Sequence, residues 1–80
     1  MRADVSLNFA EIKRNAERDL VPFNEITIVY EGLTKREVAQ LEAAGLLANK
    51  LDNGKCLGRF ASDGSGLFEK KAVAVLHLAA

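Results

Sequence analysis

The hydrophobic pattern changes from period two to a helical period along the first third of the chain. Residues 4–9 alternate polar and apolar side chains, which predicts a short strand. Residues 9–20 then place apolar side chains on one helical face, with Asn8 at the N-cap position, so we predict a first helix there. Pro22 ends this helix, because the residue before a proline avoids helical geometry.

The next strand and helix carry the strongest local signals. Residues 25–31 are rich in β-branched and aromatic side chains and are bounded by turn-forming residues, which predicts a strand. Thr34 and Glu37 have the spacing of a capping box, so we predict that a second helix begins at Lys35.

The end of the second helix has two interpretations. In the first, the helix stops at Ala44 because Gly45 takes the left-handed conformation. Leu46 then packs back on Leu41. In the second, Gly45 lies inside a helix that reaches Asn49, at a cost of about 1 kcal/mol. We favour the first interpretation, a Schellman ending.

Two turn signals divide the rest of the chain. Asn53-Gly54 is a preferred pair for a type I′ turn, which predicts a hairpin over residues 47–60. Residues 62–66 form a loop by composition. Residues 67–78 are long enough for a helix, but their valines recur at period two, which favours a last strand. The predicted hairpin pairs are Asp52 with Lys55, Leu51 with Cys56 and Leu47 with Phe60.

These elements predict an α+β fold with the order β-α-β-α-β-β-β. A right-handed crossover places two helices on one face of a four- to five-stranded mixed sheet, and the last three strands form an antiparallel meander. A chain of 80 residues supports one modest core, so residues 1–80 are predicted to form a single domain.

The strands at residues 25–31 and 67–78 are apolar on both sides, yet two short helices cover only one face of a sheet. We therefore expect a second subunit to cover the other face, as a closed homodimer. The alternative is that exposed Ala and Val need no explanation, because over half of a normal protein surface is apolar. The candidate interface residues are Val29, Val73, Val75 and His77.

Composition limits the cellular compartments and the kinds of partner that we expect for this protein. Eleven Lys and Arg balance eleven Asp and Glu, so no net field attracts nucleic acid or an anionic membrane. Cys56 is the sole cysteine, which excludes an internal disulfide and a multi-cysteine metal site. No apolar run approaches the roughly 20 residues of a membrane span. We expect a cytoplasmic protein that binds no membrane.

Candidate catalytic residues are scarce. His77 is the only histidine, and the sequence offers it no nucleophile or carboxylate partner. Cys56 fits a packed position in the hairpin. The glycine-rich segment 63–66 lacks the Lys and Ser/Thr of a phosphate-binding loop. We predict no catalytic, cofactor or metal site, and no enzyme activity.

The segment Leu-Glu-Ala-Ala-Gly-Leu-Leu at residues 41–47, followed by the hairpin at 47–60, resembles the passage from recognition helix to wing in winged helix-turn-helix regulators. The resemblance covers about residues 34–60. It implies that helix 35–44 enters the major groove. It departs from the family in the segment before that helix, which here is a strand where the family has another helix. The implied phosphate contacts are Lys50, Lys55 and Arg59.

The sequence therefore supports two functional hypotheses. The first is a small non-catalytic protein-interaction module that forms a homodimer and binds another protein through a sheet face or edge. Cofactor-free proteins of this size often act as accessory or inhibitory factors, including those encoded by phages and other mobile elements. The alternative is a nucleic-acid-binding regulator that uses the second helix and the hairpin.

Overall fold

The computed structural model describes residues 8–51 and 54–77, apart from the side chain of His77. Short 3₁₀ turns lie at Phe23–Glu25 and Glu69–Lys71. The main elements are α1 (Phe9–Arg18), β1 (Ile26–Glu31), α2 (Lys35–Ala43), β2 (Leu47–Lys50), β3 (Lys55–Arg59) and β4 (Ala72–His77).

Both helices begin at the predicted caps. The Asn8 side chain accepts hydrogen bonds from the backbone N–H groups of Ala10 and Glu11, at 3.0 and 3.3 Å. Thr34 and Glu37 form a complete capping box, with reciprocal bonds of 3.1 and 2.8 Å. These bonds satisfy N–H groups that the first turn of a helix leaves unpaired.

Both helices also end in a Schellman motif. At the end of α2, Leu46 N–H donates to Leu41 O at 2.9 Å and Gly45 has a φ of +74°. The predicted glycine ending is confirmed, and the longer helix through Gly45 is wrong. At the end of α1, Val21 N–H donates to Ala16 O at 2.9 Å, and Leu20 takes the left-handed position with a φ of +60°. The first helix thus stops at Arg18, two residues earlier than predicted.

The four strands form one antiparallel sheet in the order β2-β3-β1-β4. The predicted α+β class, with two helices and a sheet of four strands, is confirmed. The strand order departs from a continuous C-terminal meander, because β4 pairs with the central β1 and not with β3. The described strand pairs are all antiparallel, whereas the prediction was a mixed sheet.

The predicted hairpin register is wrong. Leu47 lies opposite Gly58, and Lys50 lies opposite Cys56. A bulge between Leu47 and Asn49 shifts the pairing. Leu51 N–H donates to Lys55 O at 2.9 Å. Three residues therefore lie between the hydrogen-bonded positions at the turn, whereas the prediction had two. The predicted partner of Lys55, Asp52, lies outside the described residues.

The last strand begins five residues later than predicted. Phe68 takes a left-handed φ of +57°, which prevents regular strand pairing at that point. The Tyr30 hydroxyl donates to Leu67 O at 2.6 Å, and the Glu69 carboxylate accepts from Phe9 N–H at 2.7 Å. These bonds hold residues 67–71 as a turn, and β4 follows.

The predicted first strand lies mostly outside the described residues. Its last member, Phe9, belongs to α1 and is buried in the core. The N-cap at Asn8 therefore makes Phe9 helical, although Phe9 also fits the period-two pattern.

The core lies between the sheet and both helices. Ile26, Ile28 and Tyr30 alternate along β1 on the face toward the helices, here called the inner face, and each is at most 2% exposed. Phe9 and Phe60 meet edge to face with ring centroids 4.8 Å apart. The sequence thus places both helices on one side of the sheet, as predicted.

Candidate interaction surface

The side of β4 that faces away from β1 is here called the β4 edge. Among the described residues β4 pairs with β1 and with no other strand. Its six residues, Ala-Val-Ala-Val-Leu-His, include no Lys, Arg, Asp, Glu or Pro. Val73 is 40% exposed and Leu76 is 50% exposed. An edge that the described strands leave unpaired, with exposed apolar side chains, is a template for strand pairing.

The opposite edge of the sheet is protected. The strand there, β2, has only four residues and ends with exposed Asn49 and Lys50. The bulge after Leu47 distorts its pairing. Short length and a lysine are usual means by which proteins prevent edge pairing, and they distinguish β2 from β4, whose pairing with β1 contains a bulge as well.

The sheet face away from the helices, here called the outer face, has an apolar centre. Val29 lies opposite Leu57 on one side and Ala74 on the other. Glu31 and Lys55 form an ion pair at 3.3 Å beside this centre. An apolar centre with a polar rim is typical of a protein-binding surface.

The structure divides the four predicted interface residues between two surfaces. Val29 lies on the outer face. Val75 lies opposite Ile28 and therefore on the inner face, at the border of the core. Val73 is exposed beside the bulge in the β1–β4 pairing, and the backbone register places His77 opposite Ile26. Three of the four thus share one edge strand, while Val29 is separate.

A groove separates α1 from the β4 side of the sheet. Its volume is about 180 Å³. Apolar side chains form most of its wall, and its polar groups lie on α1 and at the C-cap of that helix. The residues that line it are Ile12, Asn15, Ala16, Asp19, Ile26 and Val75.

Leu20 is an exposed apolar residue that sequence reasoning missed. It is 88% exposed, and its left-handed backbone conformation is one that favours glycine. The available signal was that no glycine lies between the end of the helical pattern and Pro22 to form the helix ending.

The three predicted phosphate contacts do not share a surface. Lys50 lines a groove with Lys35 and Glu42 on the α2 side of the sheet. Lys55 and Arg59 lie on the outer face, where Lys55 already pairs with Glu31. Between β1 and β2 the chain forms one helix, where a winged helix needs two.

The other candidate residues, Cys56 and those of the glycine-rich loop, have structural positions in the fold. Cys56 is a buried free thiol. In the glycine-rich loop, the Asp63 carboxylate accepts from Ser65 N–H at 2.9 Å, and this hydrogen bond lowers the pKa of Asp63. Within the described residues, no group of three or more His, Cys, Asp or Glu side chains converges as a metal site would require. The helices there are also too short to cross a membrane.

No protein-family model matches this chain, and neither a curated protein nor a solved structure shows significant similarity to it.

Proposed function

We propose that this protein is a non-catalytic protein-interaction module that dimerises through the β4 edge. The observation that carries the proposal is the contrast between β4, which is uncharged and has exposed Val73 and Leu76, and β2, which is short and carries a lysine. Strand addition at a sheet edge is an established mode of protein recognition, in which main-chain hydrogen bonds supply affinity.

The charge distribution favours a second copy of this chain as the partner that pairs with the β4 edge. Two β4 strands bring no ionised side chain from Ala72 to Leu76 opposite another, so no like-charge repulsion opposes their pairing. A pair of β2 strands would instead contain two lysines, one Lys50 from each copy. The formal net charge is zero, so the chains as a whole do not repel each other.

Edge pairing would join the two sheets and leave their outer faces accessible. The apolar centre formed by Val29, Leu57 and Ala74 would then be available to a further protein, consistent with an accessory or inhibitory factor. The buried free thiol of Cys56 supports a reducing compartment such as the cytoplasm.

Sedimentation equilibrium tests the proposal. Over roughly 5 to 500 μM we expect the mass to rise from 8.7 kDa toward twice that value, as mass action requires. A chain that stays at 8.7 kDa throughout overturns the dimer.

Fluorescence anisotropy with random duplex DNA tests the alternative function. Because Lys50 is separated from Lys55 and Arg59, we expect no binding at roughly 50 μM protein and low salt. Binding that weakens steeply with added salt would support the regulator and count against the interaction module.

A further inference from the structure

The direction of α1 relative to β4 shows where the chain before Asn8 joins the described fold. Phe9 N–H donates to the carboxylate of Glu69 at 2.7 Å, so α1 begins beside the turn that precedes β4. At the other end of α1, the C-cap Asp19 lines a groove together with Ile26, which lies opposite the last residue of β4. α1 therefore runs from the start of β4 to its end, and the preceding segment joins the fold at the start of β4.

The sheet topology shows on which side of β1 a strand before α1 can pair. β2 is parallel to β1, because both pair antiparallel with β3 between them, so β1-α2-β2 is a parallel crossover. Such crossovers are right-handed in about 98% of cases. A strand that precedes α1 and ends at the start of β4 is also parallel to β1. Because both helices lie on the same face, this second crossover is right-handed only if the strand lies on the side of β1 opposite to β2, which is the β4 side.

Residues 4–7, which lie outside the described residues, have the pattern that this position requires. Val5 and Leu7 share one face of an extended segment, and the polar residues beside them share the other. With its apolar face inward, a strand on the β4 edge places Val5 and Leu7 next to Val75, which lines the groove between α1 and the β4 side of the sheet. The groove volume of about 180 Å³ is enough for an apolar side chain, since cavities of about 150 Å³ can hold benzene.

We propose that residues 4–7 pair antiparallel with the β4 edge of their own subunit and compete there with a second copy of the chain. This inference rests on the proposed dimer and describes its regulation, because one strand edge cannot pair with two strands at once. The dimer forms from subunits whose β4 edge is open. Its apparent affinity is therefore reduced by the open fraction of each subunit, and any change that weakens the pairing of residues 4–7 strengthens the dimer.

Substitution of the two apolar residues tests the competition in the intact chain. Val5→Ser/Leu7→Ser removes the apolar contacts and leaves residues 8–77 unchanged. At roughly 5 μM, where the monomer should dominate, we expect the β4 amides that point away from β1 to exchange at least about threefold faster than in wild type. In sedimentation equilibrium the double variant should dimerise at least about threefold more tightly, because the open fraction rises. Ser6→Ala, on the opposite face of the same segment, is the matched control and should change neither quantity.

The two measurements separate this inference from the proposed function. Equal exchange of β4 amides in wild type and the double variant at roughly 5 μM overturns pairing by residues 4–7, although the dimer can stand. Weaker dimerisation of the double variant overturns the competition, because the segment would then contribute to the dimer. If the double variant exchanges faster at β4 but neither protein dimerises, pairing within the subunit stands and the proposed dimer is overturned.

Discussion

The α2–β2 side and the α1–β4 side of this molecule differ in their helix endings and in their edge strands. On the side of α2 and β2, the helix has a capping box and a glycine ending, and the edge strand is short and charged. On the side of α1 and β4, a leucine takes the glycine position, a groove stays open, and the edge strand is uncharged. The two non-glycine residues with positive φ among the described residues are Leu20, which follows α1, and Phe68, which precedes β4 in the chain.

This difference is the reason to seek an interaction site on the α1–β4 side. A residue that is both strained and exposed, as Leu20 is, contributes little to the fold of an isolated subunit. Natural proteins violate local rules at functional sites more often than elsewhere. The α2–β2 side therefore serves as an internal reference for the α1–β4 side.

Charge on the β4 edge should have the largest effect. The double variant Val73→Lys/Leu76→Lys places two lysines on each β4, and we expect dimer affinity to fall by at least about 100-fold. Both side chains are substantially exposed, so the subunit should remain folded. Asn49→Lys on β2 is the matched control and should change affinity less than about threefold. Equal losses in sedimentation equilibrium would remove the distinction between the edges.

The hydrogen bond that holds the chain before β4 should have the next largest effect. The Tyr30 hydroxyl donates to Leu67 O at 2.6 Å, and burial raises the pKa of Tyr30 to about 12. Tyr30→Phe keeps the ring but leaves this carbonyl unpaired, so we expect a loss of about 1 to 2 kcal/mol in the free energy of unfolding by urea. On the other side, Thr34→Ala removes a cap and should cost about 1 kcal/mol. An unchanged stability in Tyr30→Phe would show that this bond does not fix the turn.

The two helix endings provide a matched pair of substitutions. Leu20→Gly relieves a left-handed leucine and should stabilise the protein by about 1 kcal/mol. Gly45→Ala introduces a side chain at the equivalent position of α2 and should destabilise by about 1 kcal/mol. Chemical denaturation of both variants measures the difference. A destabilised Leu20→Gly would indicate that Leu20 supports the fold of the subunit.

The pH dependence of Glu37 should be the smallest effect. Lys71 Nζ donates to Glu37 Oε1 at 2.8 Å, and this hydrogen bond, with that from Thr34 N–H, lowers the pKa of Glu37 below 4.5. Its contribution to stability is therefore present above pH 4.5 and is lost as the pH falls through the lowered pKa. In Lys71→Met, NMR titration should show the pKa of Glu37 rising toward 4.5. Lys70→Met should leave it unchanged, and an equal rise in both variants would contradict the assignment to Lys71.

Local signals predicted most of the fold. The caps at Asn8 and Thr34, the glycine ending at Gly45 and the β-branched run of β1 were all readable, because each depends on a few neighbouring residues. The strand order was not readable, since pairing between β1 and β4 joins segments more than 40 residues apart.

The candidate site was predicted only in part for the same reason. The sequence identified Val73, Val75 and His77 on the last strand, and the structure places them together there. It could not show that Val75 and Val29 point to opposite faces, because a shift of one residue in register reverses every side chain. The bulges in the sheet and the left-handed Phe68 have no local sequence signature that we recognise.

Residue-resolved amide hydrogen exchange at two protein concentrations tests the central claim most directly. We predict that amides of β4 at residues 73–77 that point away from β1 gain protection between roughly 10 and 500 μM, while β2 amides at 47–50 do not change. Protection of β4 that is independent of concentration would place a segment of the same chain at this edge and contradict the dimer. Equal changes at β2 and β4 would contradict the distinction between the two edges.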